Sequence, residues 1–312
     1  MERNIKILVN NYRIDYNKNR INILFFYIIL ILESVIFLKE LIQYIILGII
    51  QGITEPLPIS SSGHLLVFRN LLNSNMFSDL NFEIIVNFGS FIAILIIFWK
   101  DIVNLIKGFF NYIFNKKEDK KTKDINKRLF KYCWLIVIGT TPVGIAGILL
   151  KDSIENSLST TWFVGIAFLL TAIMLFLVRN INGQKKDYEI TYKDAIIIGL
   201  IQILALFPGI SRSGTVLVGC LICGLNKESA LKYTFMLYLP ISIATFGLSI
   251  TEVIQAGTLS TIWLPYLSGL IAAGIVTYFS YKWLSNLVKQ GKLWKFSIYC
   301  LCLALFVLFY FR

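Results

Sequence analysis

Residues 51–67 read QGITEPLPISSSGHLLV. In an apolar setting they hold a carboxylate, two prolines, three consecutive serines and His64, the only histidine of the chain. Gln51 and Glu55 are four residues apart and share one face of a helix. Glu55 can act as a general acid or base, or hold a divalent cation (Mg2+ or Ca2+) with help from Gln51. His64 can serve as a base, or as a nucleophile that takes a phosphoryl group, and Ser61 is an alternative nucleophile if His64 activates it. A second stretch, FPGISRSGTVLV at 207–218, places Arg212 between Ser211 and Ser213 and follows them with Gly214 and Thr215. The rigid guanidinium fork matches pairs of carboxylate or phosphate oxygens. Ser60, Ser62, Ser211 and Ser213 sit at predicted helix starts, where free N–H groups and the positive dipole end favour anions. Gly63 and Gly214 let a ligand come close to the backbone. An anion cradle facing a carboxylate–histidine–serine set is suited to phosphoryl transfer to water.

Plainer roles stand beside these. Serines in apolar helices often bond their own backbone, which would account for Ser62 and Ser213. Arg212 can be a structural partner of Glu55. Gln51 can simply join helices by hydrogen bonding.

The two stretches answer each other. At a shift of 151 positions, residues 45–67 and 196–218 are identical at 11 of 23 positions, including Gln51 with Gln202, Ser60 with Ser211, Ser62 with Ser213 and Gly63 with Gly214. Polar residues are scarce here, so the matches are informative. They indicate an internal repeat with a broken helix in each half, the pattern of a binding site near the middle of a bilayer.

The surrounding chain fits a membrane. It has 312 residues, 56% of them hydrophobic, and a mean hydropathy of +0.70. The formal charge of +12 lies mainly between apolar runs, which is a topology signal and argues against a nucleic-acid surface. The five cysteines lie in or beside apolar segments, and the lone Cys220/Cys223 pair lacks the second pair that zinc needs. The expected fold is all-α and polytopic: about seven crossings, six plus an N-terminal extra at 21–38, and two re-entrant hairpins related as an inverted repeat.

In chain order, 1–38 is an N-terminal extension that emerges outside at Lys39-Glu40, and 39–312 is a single integral-membrane catalytic domain. Repeat 1 covers about 41–130 and repeat 2 about 192–281. Residues 41–55 form a half-helix broken by Pro56 and Pro58, and 61–72 follow as a short helix capped by Ser60 or Ser61. The crossings then fall at 82–99, 132–150, 161–178, 229–250, 263–281 and 296–311. Residues 73–81 form a polar loop. The lysine-rich loop 100–131 is cytoplasmic, and 151–160 and 251–262 are outer loops. The second hairpin combines 194–206, broken at Pro208-Gly209, with 212–224 capped by Ser211. Three crossings separate the hairpins, so the second is inverted and the tips can meet. Trp99, Trp134, Trp162, Trp263 and Trp294 lie at segment ends as interface anchors.

The motifs QGITEPLPISSSGHL and PGISRSGT, with the flanks NFEIIVNFGSFIAILIIFW and YKDAIIIGLIQILALFPGISRSG, resemble the bacterial undecaprenyl-diphosphatases, the bacitracin-resistance family. The likeness runs from about residue 41 to the C-terminus. It implies hydrolysis of a C55 isoprenyl diphosphate to the monophosphate and inorganic phosphate, which recycles the lipid carrier for peptidoglycan synthesis. It also implies a multi-pass protein of the bacterial inner membrane with its site open to the outer face, a divalent cation, and a polyprenyl diphosphate substrate among membrane lipids. No nucleic acid is expected, and a homodimer stays open. Carried over by position, Gln51 and Glu55 are the first-motif pair, Ser61 and His64 the proposed catalytic serine and histidine, and Arg212 the diphosphate binder. The sequence departs from the family in the extension 1–38 and at Asn87, which stands where a longer Gln is expected. Two rivals remain. One is an inverted-repeat transporter or flippase for a phosphorylated lipid or small anion. The other is the second superfamily of membrane lipid phosphatases, whose mechanism needs two histidines where this chain has one.

Overall fold

Pro56, Pro58 and Pro208 interrupt helices at the points their chemistry dictates, and the rest of the architecture is long apolar helices packed around those breaks. In the computed structural model the described residues are 20–71, 80–115, 119–157, 161–255 and 259–311. Most of the loop expected at 73–81 lies outside them, as does 1–19. The helices are α1 (Arg20–Thr54), α2 (Ser61–Leu71), α3 (Leu80–Ile97), α4 (Trp99–Phe114), α5 (Lys120–Ser157), α6 (Thr161–Val178), α7 (Tyr192–Gln202), α8 (Arg212–Ile222), α9 (Lys227–Gln255), α10 (Leu259–Lys289) and α11 (Trp294–Tyr310). Short 3-10 turns cover Asp187–Glu189 and Ile203–Leu206. The described residues form no sheet, only an isolated bridge between Lys185 and Leu225.

Four of these helices are long and apolar enough to cross a membrane, and the bent pair α3–α4 makes a fifth if it is one span. The protein is thus a multi-pass membrane protein. Large apolar side chains on the helix exteriors, such as Ile148, Leu177, Leu248 and Phe309, are exposed. Lipid would cover such a surface, so it needs no further partner.

Three sequence expectations are corrected here. Residues 21–38 and 41–55 are not a crossing followed by a separate half-helix. They form one 35-residue helix, α1, about 52 Å long. The charged pair Lys39-Glu40 changes hydropathy but breaks nothing, since both residues are good helix formers and neither Gly nor Pro stands beside them. Second, the stretch 100–131 is not a loop. After a 69° bend at Phe98, helix α4 runs on from Trp99 to Phe114 and packs on α5, where Gly108 meets Leu129. One face of α4 is apolar and the other carries Lys100, Asp101 and Lys107, as in a helix lying along a membrane surface. Third, α5 and α9 run on into the expected loops 151–160 and 251–262.

Glycines set the closest helix crossings. Gly48 of α1 lies on the backbone of Gly269 in α10, and Gly199 of α7 lies on the backbone of Gly139 in α5. A side chain at either position would push the helices apart. The first helix of each hairpin therefore packs on a long helix from the opposite half of the chain. The two tips end in the largest core cluster, where Leu57 and Ile59 join Val216, Leu217 and Phe235.

Candidate active site

Each tip is built by the same local chemistry. Ser60 accepts from the Gly63 N–H through its side chain (3.3 Å), and its carbonyl accepts from the His64 N–H (3.3 Å). Ser211 does the same for Gly214 (3.1 Å) and Thr215 (2.9 Å). These are serine N-caps that satisfy donors a helix start leaves free. The caps differ in backbone: Ser211 is extended, with φ −73°, whereas Ser60 has φ +70°. Among the described residues Ser60 is the only non-glycine with positive φ. Such a strained conformation persists only where its surroundings enforce it.

His64 supplies much of that enforcement. Its Nδ1 lies 2.6 Å from the Ser60 carbonyl and its Nε2 lies 2.7 Å from the Tyr299 hydroxyl. A carbonyl can only accept, so Nδ1 carries the proton. In the neutral ring Nε2 then accepts from Tyr299. The imidazole also stacks on the Tyr299 ring, meets Phe168 edge-on and is 3% exposed.

The tips touch directly. The Ser213 hydroxyl donates to the Leu57 carbonyl at 3.0 Å. Added side-chain carbons at Gly63 and Gly214 would lie 3.2 Å from Gly209 and Pro58 of the facing tips. The two glycines were expected to admit a ligand; Gly63 lies closest to the Phe168 ring of α6, and each glycine also faces the opposite tip. Thr215 is fully buried and donates to the Ser211 carbonyl at 2.7 Å, and Ser62 and Ser60 stand 3.5 Å apart, oxygen to oxygen.

On one side of this contact a polar cluster forms around Glu55. Gln51 Nε2 donates to Glu55 Oε2 at 3.0 Å and to Asn87 Oδ1 at 2.5 Å, and the Ser61 hydroxyl donates to Glu55 Oε2. Asn87, shorter than the side chain expected there, still reaches Gln51. Glu55, Asn87, Arg212, Tyr238 and Ser242 line a cavity of about 50 Å³ with Phe88 and Phe91 as its apolar wall. Arg212 stands over the Tyr238 ring at 5.5 Å. Among the described residues its guanidinium makes no hydrogen bond or ion pair, so the donors of this cavity-lining side chain are uncommitted.

The structure therefore brings together Gln51, Glu55, Ser61 and Arg212, and sets His64 apart. His64 is not among the residues that line the two cavities shared by Glu55 and Arg212, so there the expectation of one shared pocket for imidazole, carboxylate and guanidinium is corrected to carboxylate and guanidinium alone. The reason lies in the ring's two partners: the Ser60 carbonyl at its own helix start holds one nitrogen and Tyr299 of α11 holds the other. Tyr238 was missed. It lines the cavity together with Glu55 and Ser242. With 15 tyrosines in the chain, nothing in the sequence singled it out.

A carboxylate holding a serine hydroxyl, opposite an uncommitted guanidinium, can activate an oxygen and bind a phosphate. Comparison with known proteins points the same way. The family model described as bacitracin resistance protein BacA matches residues 44–306. Undecaprenyl-diphosphatase 2 of Bacillus thuringiensis (strain Al Hakam) is 41% identical over 270 residues, covering 86% of this chain and 97% of that protein. The undecaprenyl-diphosphatase of Oceanobacillus iheyensis is 39% identical over 272 residues, covering 86% and 96%. Undecaprenyl-diphosphatase 1 of Bacillus licheniformis is 40% identical over 271 residues, covering 86% and 98%. Matched over most of its length by model and relatives alike, this chain belongs to the BacA family of bacitracin resistance proteins.

Proposed function

We propose that this protein hydrolyses undecaprenyl diphosphate to undecaprenyl phosphate and inorganic phosphate, recycling the lipid carrier for cell-wall synthesis and conferring bacitracin resistance. The observation that carries this reading is a cavity lined by Glu55 from one tip and Arg212 from the other. Arg212 binds the terminal phosphoryl oxygens through its fork. The starts of α2 and α8, with Ser60, Ser62, Ser211 and Ser213, add a positive field around the tips.

The Ser61 oxygen attacks the terminal phosphorus while its proton passes to Glu55. The bond from that phosphorus to the bridging oxygen breaks, and undecaprenyl phosphate leaves with the electron pair and takes the proton from Glu55. Water then attacks the phosphorus of phospho-Ser61, the bond from phosphorus to Ser61 Oγ breaks, and inorganic phosphate leaves as Oγ regains a proton. Gln51 and Asn87 fix the Glu55 carboxylate, and the Tyr299–His64 pair holds Ser60, which aims Ser61. His64 acts here through position.

A divalent cation, Mg2+ or Ca2+, fits this reading in a limited way. Gln51 Oε1 is buried without a hydrogen-bond partner among the described residues, one turn from the Glu55 carboxylate. Those two oxygens are too few for an all-protein cage but enough for an ion that takes most ligands from a diphosphate. Such an ion supplies charge neutralisation on the phosphate oxygens when bound.

The site lies in a bacterial inner membrane and opens to the outer face, between two hairpins related as an inverted repeat in a multi-pass body. The matched serine caps and the reciprocal Gly48–Gly269 and Gly199–Gly139 crossings support that arrangement. The same paired broken helices also favour a transporter of phosphorylated lipid. Phosphate release from C55 diphosphate in detergent decides between the two. A covalent phosphate trapped on Ser61 in a single turnover, absent in Ser61→Ala, supports the serine route; full turnover by Ser61→Ala refutes it.

A further inference from the structure

Behind Arg212 lies a second, smaller cavity of about 10 Å³, the space one water needs. It shares Glu55, Arg212 and Tyr238 with the first cavity, so the two adjoin at those side chains. Its other polar lining comes from Gln202, Ser213 and Thr234. Gln202 is the residue that matches Gln51 at the shift of 151 positions. It is 1% exposed, and neither its amide nitrogen nor its amide oxygen has a hydrogen-bond partner among the described residues. Gln51, by contrast, spends its amide nitrogen on Glu55 and Asn87.

A buried primary amide with both ends unused is costly, and it calls for an occupant. The cavity suits one small polar molecule. Gln202 offers a donor and an acceptor, Arg212 a donor and Glu55 an acceptor, the full set for a water with four bonds. The hydroxyls of Ser213 and Thr234 already donate to the carbonyls of Leu57 (3.0 Å) and Ala230 (2.8 Å), so they can only accept.

We infer that Gln202 forms a water site that holds the hydrolytic water against Glu55. This rests on the serine route proposed above. In the second step the water oxygen bonds to the phosphorus of phospho-Ser61 and the bond from phosphorus to Ser61 Oγ breaks, its electron pair staying on Oγ. The water proton passes to Glu55 and from there to Oγ. That restores the Ser61 hydroxyl bonded to Glu55, as it stands in the structure, and releases inorganic phosphate. One repeat's glutamine thus orients the carboxylate, and the other's delivers the water that the carboxylate deprotonates.

The test is Gln202→Met, which keeps the length of the side chain and removes its polar atoms. Turnover of C55 diphosphate is followed in detergent with methanol as a competing acceptor, counting methyl phosphate against inorganic phosphate. The site predicts that kcat falls roughly 100-fold, the cost of a misplaced reactant, with KM little changed. The methyl phosphate share rises about fivefold, the worth of one lost hydrogen bond. The product ratio is counted per turnover, so it does not depend on how much of the variant folds. A wild-type ratio in Gln202→Met overturns the water site, even if kcat drops. Ser61→Ala tests the underlying route separately: a shifted ratio in Gln202→Met with an active Ser61→Ala keeps the water site and removes the phospho-serine.

Discussion

The two tips share a scaffold and divide the chemistry. Both carry a serine cap that accepts from an N–H three residues on, both follow it with a glycine pressed against the other tip, and both descend from matched sequence. The first tip is acidic and strained: it holds Glu55 and the left-handed Ser60, braced by His64 and Tyr299. The second is basic and relaxed, with Arg212 after an extended Ser211. The cap was kept in both because each helix start needs its donors satisfied wherever it lies in lipid. On the proposed reaction the opposite charges do complementary work on one phosphate. The strain lies in the tip that carries the proposed nucleophile.

If the charges divide the labour, removing either one should be severe. Glu55→Gln keeps the side-chain shape and loses the proton acceptor, and phosphate release should fall about 10²–10⁴-fold. Next, Arg212→Lys keeps the charge and loses the fork, and kcat/KM should drop on the order of 100-fold. Because both act on the same phosphate, the double variant should cost much less than the two losses multiplied. Fully multiplicative losses would mean the tips do not meet at one substrate.

Smaller effects separate the strained tip from the relaxed one. Tyr299→Phe leaves the buried His64 Nε2 without its hydroxyl, and thermal unfolding in detergent should register a loss of about 1–3 kcal/mol. Finally, glycine at the two caps should act with opposite sign. Ser60→Gly relieves the left-handed backbone and should gain a net stability of up to about 1 kcal/mol, whereas Ser211→Gly should lose a few tenths. Equal losses at both caps would show that Ser60 carries no strain.

Much of this was legible in the sequence. Prolines at 56, 58 and 208 marked the breaks, serines at 60 and 211 the caps, and the matched polar positions the pairing of tips. Helices α2, α6 and α8 fall within two residues of their expected bounds. Expectation failed where hydropathy was used as a stand-in for backbone breaks. Lys39-Glu40 carried the charge of a turn without its residues, so α1 ran through, and the lysine-rich stretch after Phe98 hid the apolar face of α4.

By itself the sequence determined what is local: which residues break a helix, which cap one, and which side chains can bind a phosphate or move a proton. Only the tertiary structure decided which of them face the same space. His64 sits three residues from Ser61, yet contact with Tyr299, 235 positions away, turns its ring from the cavity. Tyr238 joins Glu55 there although nothing near it in sequence predicts it, and Gln202, matched to Gln51 in the repeat, borders the same carboxylate. The direction of a side chain is set by packing between helices distant along the chain, and that information exists only once they meet.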